Sequence, residues 1–157
     1  MLVLQFKIGT DGYVMNVSRL QEILPLASLR PVPSAPPSVA GVLDFRGTPV
    51  PVIDLPMLML NRPAARVFST RMLIVRYRKR GDPVRRLLGV IVEQVSRTLK
   101  MDLADFSDPG VSVDDAKYVG KVANLDNGMV QLVEPDELLT EEVHELLFRA
   151  ETAEVGS

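Results

Sequence analysis

The sequence predicts a mostly β protein made of short strands joined by hairpins. Runs of alternating or β-branched residues recur along the 157-residue chain, and such runs favour strands. Gly, Pro, Asp or Asn separates one run from the next. Gly and Asn reach positive φ at low cost, so these separators are typical of tight turns. Many short hairpin-linked strands indicate a barrel or a sandwich.

The predicted strands are Leu2–Ile8, Tyr13–Val17, Val39–Asp44, Val50–Ile53, Arg71–Tyr77, Leu87–Val95, Val119–Leu125 and Met129–Val133. Three segments between them have the composition of hairpin turns: residues 9–12, 46–49 and 126–128. In the second of these, Gly47 supplies the turn and Arg46 stands at its tip.

Two helices interrupt the strand pattern. The first is predicted to begin at Ser18, with Gln21 completing a capping box, and to end at Pro25. The second is predicted from about Pro135 to Phe148 with a break near Thr140. Its apolar side consists of Leu138, Leu139, Val143, Leu146 and Leu147. Residues 149–157 contain few large apolar side chains, so we expect a frayed tail.

Composition excludes several classes of protein. The chain has no Cys and a single His, which rules out disulfide frameworks and Cys/His zinc sites. No apolar run approaches the length of about 20 residues that spans a bilayer, and the first residues alternate like a strand rather than a secretory signal. We expect a cytoplasmic protein with no cofactor, no metal and no direct membrane insertion.

The charge is divided along the chain. Residues 1–86 carry 13 Lys and Arg against 5 Asp and Glu, whereas residues 87–157 carry 5 against 15. The two parts therefore have opposite formal charge. They can neutralise each other within the molecule, or pair head-to-tail with related molecules. A faint repeat at an offset near 80 residues, such as residues 17–19 against 95–97, suggests two similar lobes.

The central segment carries a recognisable motif. A Pro-rich segment (residues 31–37) is followed by a Gly-containing strand, the Arg46-Gly47 turn and then the sequence Pro51-Val-Ile-Asp54-Leu. This motif resembles the central signature of the CheW-like family of chemosensory adaptors. Residues 88–95, 118–123 and 129–139 are similar to later parts of that family, in the same order. The resemblance covers about residues 1–148.

The resemblance implies a single CheW-like domain over residues 1–148, with two five-stranded SH3-like β-barrel lobes around a shared apolar core. The lobes would be roughly residues 1–66 and 67–148, either as continuous segments or with their ends exchanged between the lobes. It also implies a short helix after the second strand and a C-terminal helix. Asp44, Pro56, Glu93 and Val133-Glu134 depart from the usual residues of the family, which suits a pathway other than flagellar chemotaxis.

By the same resemblance, the chain would be a non-enzymatic adaptor in a chemosensory pathway. Its partners would be the regulatory domain of a CheA-type histidine kinase and the cytoplasmic tip of a chemoreceptor, in ring or array assemblies with other CheW-like domains at the inner face of the membrane. The candidate partner-binding residues are Leu20, Glu22, Arg46, Ile91, Val92 and Val95. The apolar ones among them are alternatively core residues.

The sequence gives less support to two other functions. His144 lies among Glu141, Glu142 and Glu145, which predicts a solvated helix face rather than a general base, and no catalytic motif accompanies it. Seven basic residues between Arg71 and Arg86 could follow the phosphates of a single-stranded nucleic acid. That reading is the alternative function, but Tyr77 is the one aromatic residue in the run, and one ring offers no stacking platform.

Overall fold

The computed structural model describes residues 1–110 and 116–155, and for residues 149–155 it describes the backbone alone. The strands and helices within these residues are β1 (Leu2–Ile8), β2 (Asp11–Asn16), β3 (Leu20–Pro25), β4 (Val39–Phe45), β5 (Thr48–Asp54), α1 (Leu55–Leu60), β6 (Arg71–Tyr77), β7 (Arg86–Lys100), β8 (Val119–Leu125), β9 (Gly128–Val133) and α2 (Glu141–Val155). Short 3₁₀ turns occupy Val17–Arg19, Leu103–Asp105 and Pro135–Glu137. None of the helices described has both the length and the apolar character that crossing a membrane requires.

The strands form two groups of five that share β7. In one group β3 pairs with β6, β6 with the first half of β7, β7 with β5, and β5 with β4. A bridge between Arg30 and Val42 links the segment after β3 to β4. In the other group the second half of β7 pairs with β1, β1 with β2, β2 with β9, and β9 with β8. A bridge between Ser107 and Val122 links the segment after β7 to β8.

We call the first group lobe B and the second lobe A. Lobe A combines residues 2–16 with residues from the second half of β7 onward, whereas lobe B is built from residues 20–92. The division into residues 1–66 and 67–148 therefore does not match the strand pairing, because β6 and the first half of β7 belong with β3–β5. The 15 residues of β7 join both lobes into one structure.

Three apolar clusters fill this architecture. The largest draws buried side chains from both lobes, including Phe6 and Met15 of lobe A and Leu73 and Val90 of lobe B. A second cluster lies within lobe B and a third within lobe A. The central cluster corresponds to the shared apolar core that the resemblance implies. Burial of apolar surface, at about 25 cal/mol per Å², therefore stabilises the lobes and also their junction.

The first predicted helix is wrong. Asn16 accepts a hydrogen bond from the Ser18 amide at 2.9 Å and caps a single 3₁₀ turn, after which residues 20–25 form β3. Half-buried and exposed side chains alternate along this strand, which is the period of a strand with one face on the core. A run of six residues contains too few turns for the helical and strand periods to be separated.

The structure also adds to the helices. Helix α1 follows β5 directly: Asp54 caps it by accepting from the Met57 amide at 3.0 Å, and Pro56 lies in its first turn. This helix is not among the elements predicted from the sequence. The predicted break near Thr140 is present, since a 3₁₀ turn precedes α2. The backbone stays helical to Val155, where we expected a frayed tail from residue 149. Its Ala and Glu residues have high helix propensity, and residues 156–157 lie outside the part described.

Candidate partner-binding site

The turn between β4 and β5 places Arg46 at the tip of a tight hairpin. Arg46 and Gly47 have φ values of 54° and 86°, and a two-residue hairpin turn of type I′ requires positive φ at both of its central residues. The Asp44 carboxylate accepts a hydrogen bond from the Gly47 amide at 2.8 Å and holds the turn closed. Apart from residues 46–48, no atom lies within 4 Å of the position that a Cβ atom on Gly47 would take, so the tip projects into open space.

Arg46 has a carboxylate partner within the chain, which the sequence analysis did not assign. Its Nη2 atom donates to Oε1 of Glu22 on β3 at 2.6 Å, and its guanidinium lies 4.9 Å from the centre of the Phe45 ring. The Arg46 side chain is nevertheless 69% exposed. An exposed ion pair of this kind stabilises a fold by about 0–1 kcal/mol, so most of the arginine surface remains available to a partner.

The structure brings only some of the six candidates to the surface. Glu22 and Arg46 are in contact, and Leu20 and Val95 are half-buried against the central cluster. Val92 has no exposed surface and Ile91 is 6% exposed. Both are core residues, because the middle of β7 is covered on both faces, by the central cluster and by the cluster of lobe B. We therefore remove Ile91 and Val92 from the candidate surface.

A buried carboxylate anchors the loop that follows α1. Glu93 is 4% exposed, and its two oxygens each accept one hydrogen bond from Arg62 at 2.9 Å. The Ala65 amide donates to it at 2.7 Å, and the Gly9 amide lies at 3.5 Å. The hydrogen bonds from Arg62, followed by those from the two amides, outweigh burial and lower the Glu93 pKa to about 2.

Glu93 is not among the predicted site residues, and in the sequence it stands out only as a departure from the family. A signal was present: a carboxylate within an apolar strand must find a partner, because an unpaired buried charge is very costly. Asp54, the last residue of β5, is a second carboxylate that accepts backbone hydrogen bonds. It accepts from the Met57 amide, and its second oxygen accepts from the Ala64 amide at 3.1 Å. Glu93 and Asp54 thus fix both ends of the segment from α1 to residue 65.

His144 is buried, contrary to the predicted solvated helix face. Its Nδ1 atom lies 2.9 Å from the Tyr77 hydroxyl, and its ring stacks at an angle on Phe148, one turn along α2. Burial, together with the positive charges of Arg86 and Lys79, lowers the His144 pKa. The histidine is therefore part of the contact between α2 and lobe B, and its orientation follows from the i, i+4 placement of His144 and Phe148 on one helix face.

Opposite charges of the two halves meet within the molecule. Arg19 pairs with Asp136, Lys79 with Glu141, and Arg80 with Glu137 at 3.3 Å. Each pair joins a residue before position 87 to one after it, so internal neutralisation, one of the two alternatives, takes place at these positions. The basic run after β6 is thereby partly covered by carboxylates. Tyr77 is 1% exposed, so it cannot stack on a base.

The described residues contain no group of three or more His, Asp or Glu side chains placed to hold a metal ion. What the surface offers is an exposed arginine on a rigid hairpin, an adjacent carboxylate and half-buried apolar residues of β3 and β7. Exposed arginines and partly covered apolar residues are typical of protein–protein contact surfaces.

Comparisons with known proteins agree with this architecture. The model of the CheW-like domain family matches residues 2–143. The chain is 27% identical over 145 residues to the chemotaxis protein CheW of Rhizobium meliloti, which covers 91% of this chain and 90% of that protein. It is 24% identical over 140 residues to the CheW of Bacillus subtilis, covering 87% and 85%. The crystal structure of the scaffolding protein TtCheW from Thermoanaerobacter tengcongensis superposes with a TM-score of 0.77 at 22% identity, covering 90% of this chain and 89% of that one.

Proposed function

The chain belongs to the CheW-like domain family, and on that premise we propose that it is a non-enzymatic adaptor that couples a methyl-accepting chemoreceptor to a CheA-type histidine kinase. Its place in the cell is then the cytoplasm, in receptor arrays at the inner face of the membrane. The relatives are named as chemotaxis proteins and the structural neighbour as a scaffolding protein, which supports a chemosensory role. The departures at Asp44 and Glu93 favour an output other than flagellar chemotaxis.

The observation that carries the proposal is the exposed Arg46–Glu22 pair on a rigid turn. The hairpin and the Asp44 hydrogen bond fix the backbone, so little conformational entropy is lost when a partner contacts the tip. Leu20 lies two residues before Glu22 on β3, which adds an apolar neighbour. Both partners, the receptor tip and the regulatory domain of the kinase, are candidates for this surface.

Replacement of Arg46 by Ala tests the proposal. We expect the free energy of unfolding to fall by about 1 kcal/mol or less, as for other exposed ion pairs. The affinity for the receptor tip or for the kinase domain should fall about 30-fold or more, since arginine anchors at interfaces are worth about 2 kcal/mol. Urea unfolding and titration calorimetry with each purified partner measure the two effects.

A charge exchange separates contact from support. The double variant Glu22→Arg with Arg46→Glu keeps an ion pair on the hairpin but inverts its direction. If Arg46 contacts the partner, this variant stays as weak as Arg46→Ala. Recovery of affinity would show that the pair only orders the hairpin, and an Arg46→Ala variant that binds both partners normally would refute the proposed site.

A further inference from the structure

Four arginines line a surface cavity of about 290 Å³ beside β6, together with Tyr77 and Asp136. They are Arg19, Arg76, Arg78 and Arg85. The cavity lies between the 3₁₀ turn before β3, the end of β6, the loop between β6 and β7, and the turn before α2. We call it the arginine pocket. The adaptor proposal makes no use of it.

Two of these arginines are held in place by the backbone. Arg76 donates from Nη1 to the carbonyl oxygens of Ser18 and Leu20, both at 2.9 Å. Arg19 donates from Nη2 to the carbonyl oxygen of Arg76 at 2.6 Å and also pairs with Asp136. The guanidinium groups of Arg19 and Arg76 are therefore ordered before any ligand arrives. A preordered donor loses less side-chain entropy on binding than a free one.

The positive charge of the pocket is not balanced from within. Arg19 has the carboxylate of Asp136, whereas among the described residues no carboxylate lies within salt-bridge distance of Arg76, Arg78 or Arg85. Arg76 is satisfied by neutral carbonyl oxygens, which leave its charge in place. Arg76, Arg78 and Arg85 are all exposed. Several cations around one concave surface raise the local concentration of anions.

We propose that the arginine pocket binds the carboxylates of an acidic segment of a partner protein. The planar fork of a guanidinium matches a carboxylate in two parallel hydrogen bonds. The one anionic group that lines the pocket, the carboxylate of Asp136, accepts at Oδ1 a hydrogen bond from Nη2 of Arg19 and another from the Arg78 amide at 2.9 Å. The cavity therefore already holds one carboxylate against a guanidinium.

The same features disfavour a nucleic acid. Tyr77 is buried, so no ring stands ready for the stacking that single strands require. An acidic peptide can instead place one or two carboxylates in the pocket and leave its remaining residues outside. The pocket also adjoins the candidate surface, because Arg76 holds the carbonyl oxygen of Leu20.

The test uses the full chain and three fluorescently labelled probes: a Glu-rich peptide, a matched Gln-rich peptide and an oligothymidine of equal charge to the Glu-rich one. The test variant is the double substitution of Arg78→Gln and Arg85→Gln, which removes two unpaired charges and leaves the hydrogen bonds of Arg19 and Arg76 in place. Arg66→Gln is the matched control, since Arg66 is an exposed arginine on a different loop, outside the lining of the pocket. Anisotropy at low salt gives the affinities.

We expect the chain to bind the Glu-rich peptide and not the Gln-rich one. The double variant should lose affinity about fivefold or more, as for two exposed charge contacts, while Arg66→Gln binds as the parent does. Three results would overturn the proposal: no binding of the Glu-rich peptide, an equal loss in Arg66→Gln, or tighter and equally variant-sensitive binding of oligothymidine. None of these results bears on the Arg46 experiment, so the two proposals stand or fall separately.

Discussion

Replacement of Glu93 by Gln tests the buried anchor of the loop after α1. Lowering of the Glu93 pKa from its ordinary value of 4.5 to about 2 measures how strongly the folded protein prefers the ionised carboxylate. At about 1.4 kcal/mol for each tenfold change in the dissociation constant, the preference amounts to about 3 kcal/mol. Glutamine has a similar shape but no charge, and its NH₂ group meets donors rather than acceptors. We expect Glu93→Gln to lower the free energy of unfolding near pH 7 by about 3 kcal/mol.

The pH dependence gives a second and sharper measure. Because the folded pKa is depressed, the stabilisation is fully present above pH 4.5 and is lost as the pH falls towards 2. The difference between the parent protein and Glu93→Gln should therefore be large near neutrality and shrink steadily in acid. Urea unfolding at several pH values measures it, and Glu22→Gln, which alters an exposed ion pair, serves as the control with a loss of about 1 kcal/mol or less.

Two outcomes would refute this reasoning. A loss below about 1 kcal/mol near pH 7 would mean that the Arg62 and amide contacts merely offset the cost of burying the carboxylate. A difference that stays constant from neutral to acid pH would mean that Glu93 acts through its shape and not through its charge. In either case the loop would have to be held by other contacts, of which the hydrogen bond from Thr70 to the Ala65 carbonyl at 2.6 Å is one.

Two further predictions concern stability. A methyl group on Gly89 would lie 2.7 Å from a methyl carbon of Val52 on the neighbouring strand β5, so Gly89→Ala should lower the free energy of unfolding by about 1–3 kcal/mol. Adding Val52→Ala removes the clashing methyl group, so the loss in the double variant, measured by urea unfolding, should be smaller than the sum of the two single losses. Additive losses would contradict the clash. Since the His144 pKa is lowered in the folded protein, the unfolded chain binds the proton first, and stability should fall as the pH drops below 6.5. His144→Gln should lack this component, and equal pH profiles for parent and variant would show that the histidine does not titrate in the contact.

Local patterns were sufficient for most strands and hairpin turns. β1, β6 and β8 have the predicted bounds, since their apolar and β-branched residues leave no helical alternative. Residues 20–25 were predicted as a helix because so short a run fits the helical period and the strand period equally well. Pairing with β6 makes this segment a strand. Helix α1 could have been found, because Asp54 followed by Pro56 is a standard helix start.

Contacts between residues that are far apart in the sequence could not be predicted from local patterns. Nothing in the local sequence pairs β1 with the second half of β7, or places Arg62 on a carboxylate 31 residues away. The position of Glu93 in an apolar strand indicates that its carboxylate needs a partner, but it does not indicate which residue that partner is. The same limit applies to Arg46: the turn residues placed it at a hairpin tip, but the approach of Glu22 depends on where β3 lies, and β3 had been assigned to a helix.

The charge division of the chain connects the fold with the two proposed sites. Arg19, Lys79 and Arg80 are paired with carboxylates that precede or begin α2, so part of the basic half serves the junction of that segment with lobe B. Each of those pairs has at least one exposed side chain and contributes little, whereas the central apolar cluster joins the lobes independently of salt. Added salt should therefore weaken binding at Arg46 or at the arginine pocket well before it loosens the junction. A salt-sensitive interaction of this protein can then be attributed to its surface arginines, provided that the unfolding transition is unchanged over the same range of salt.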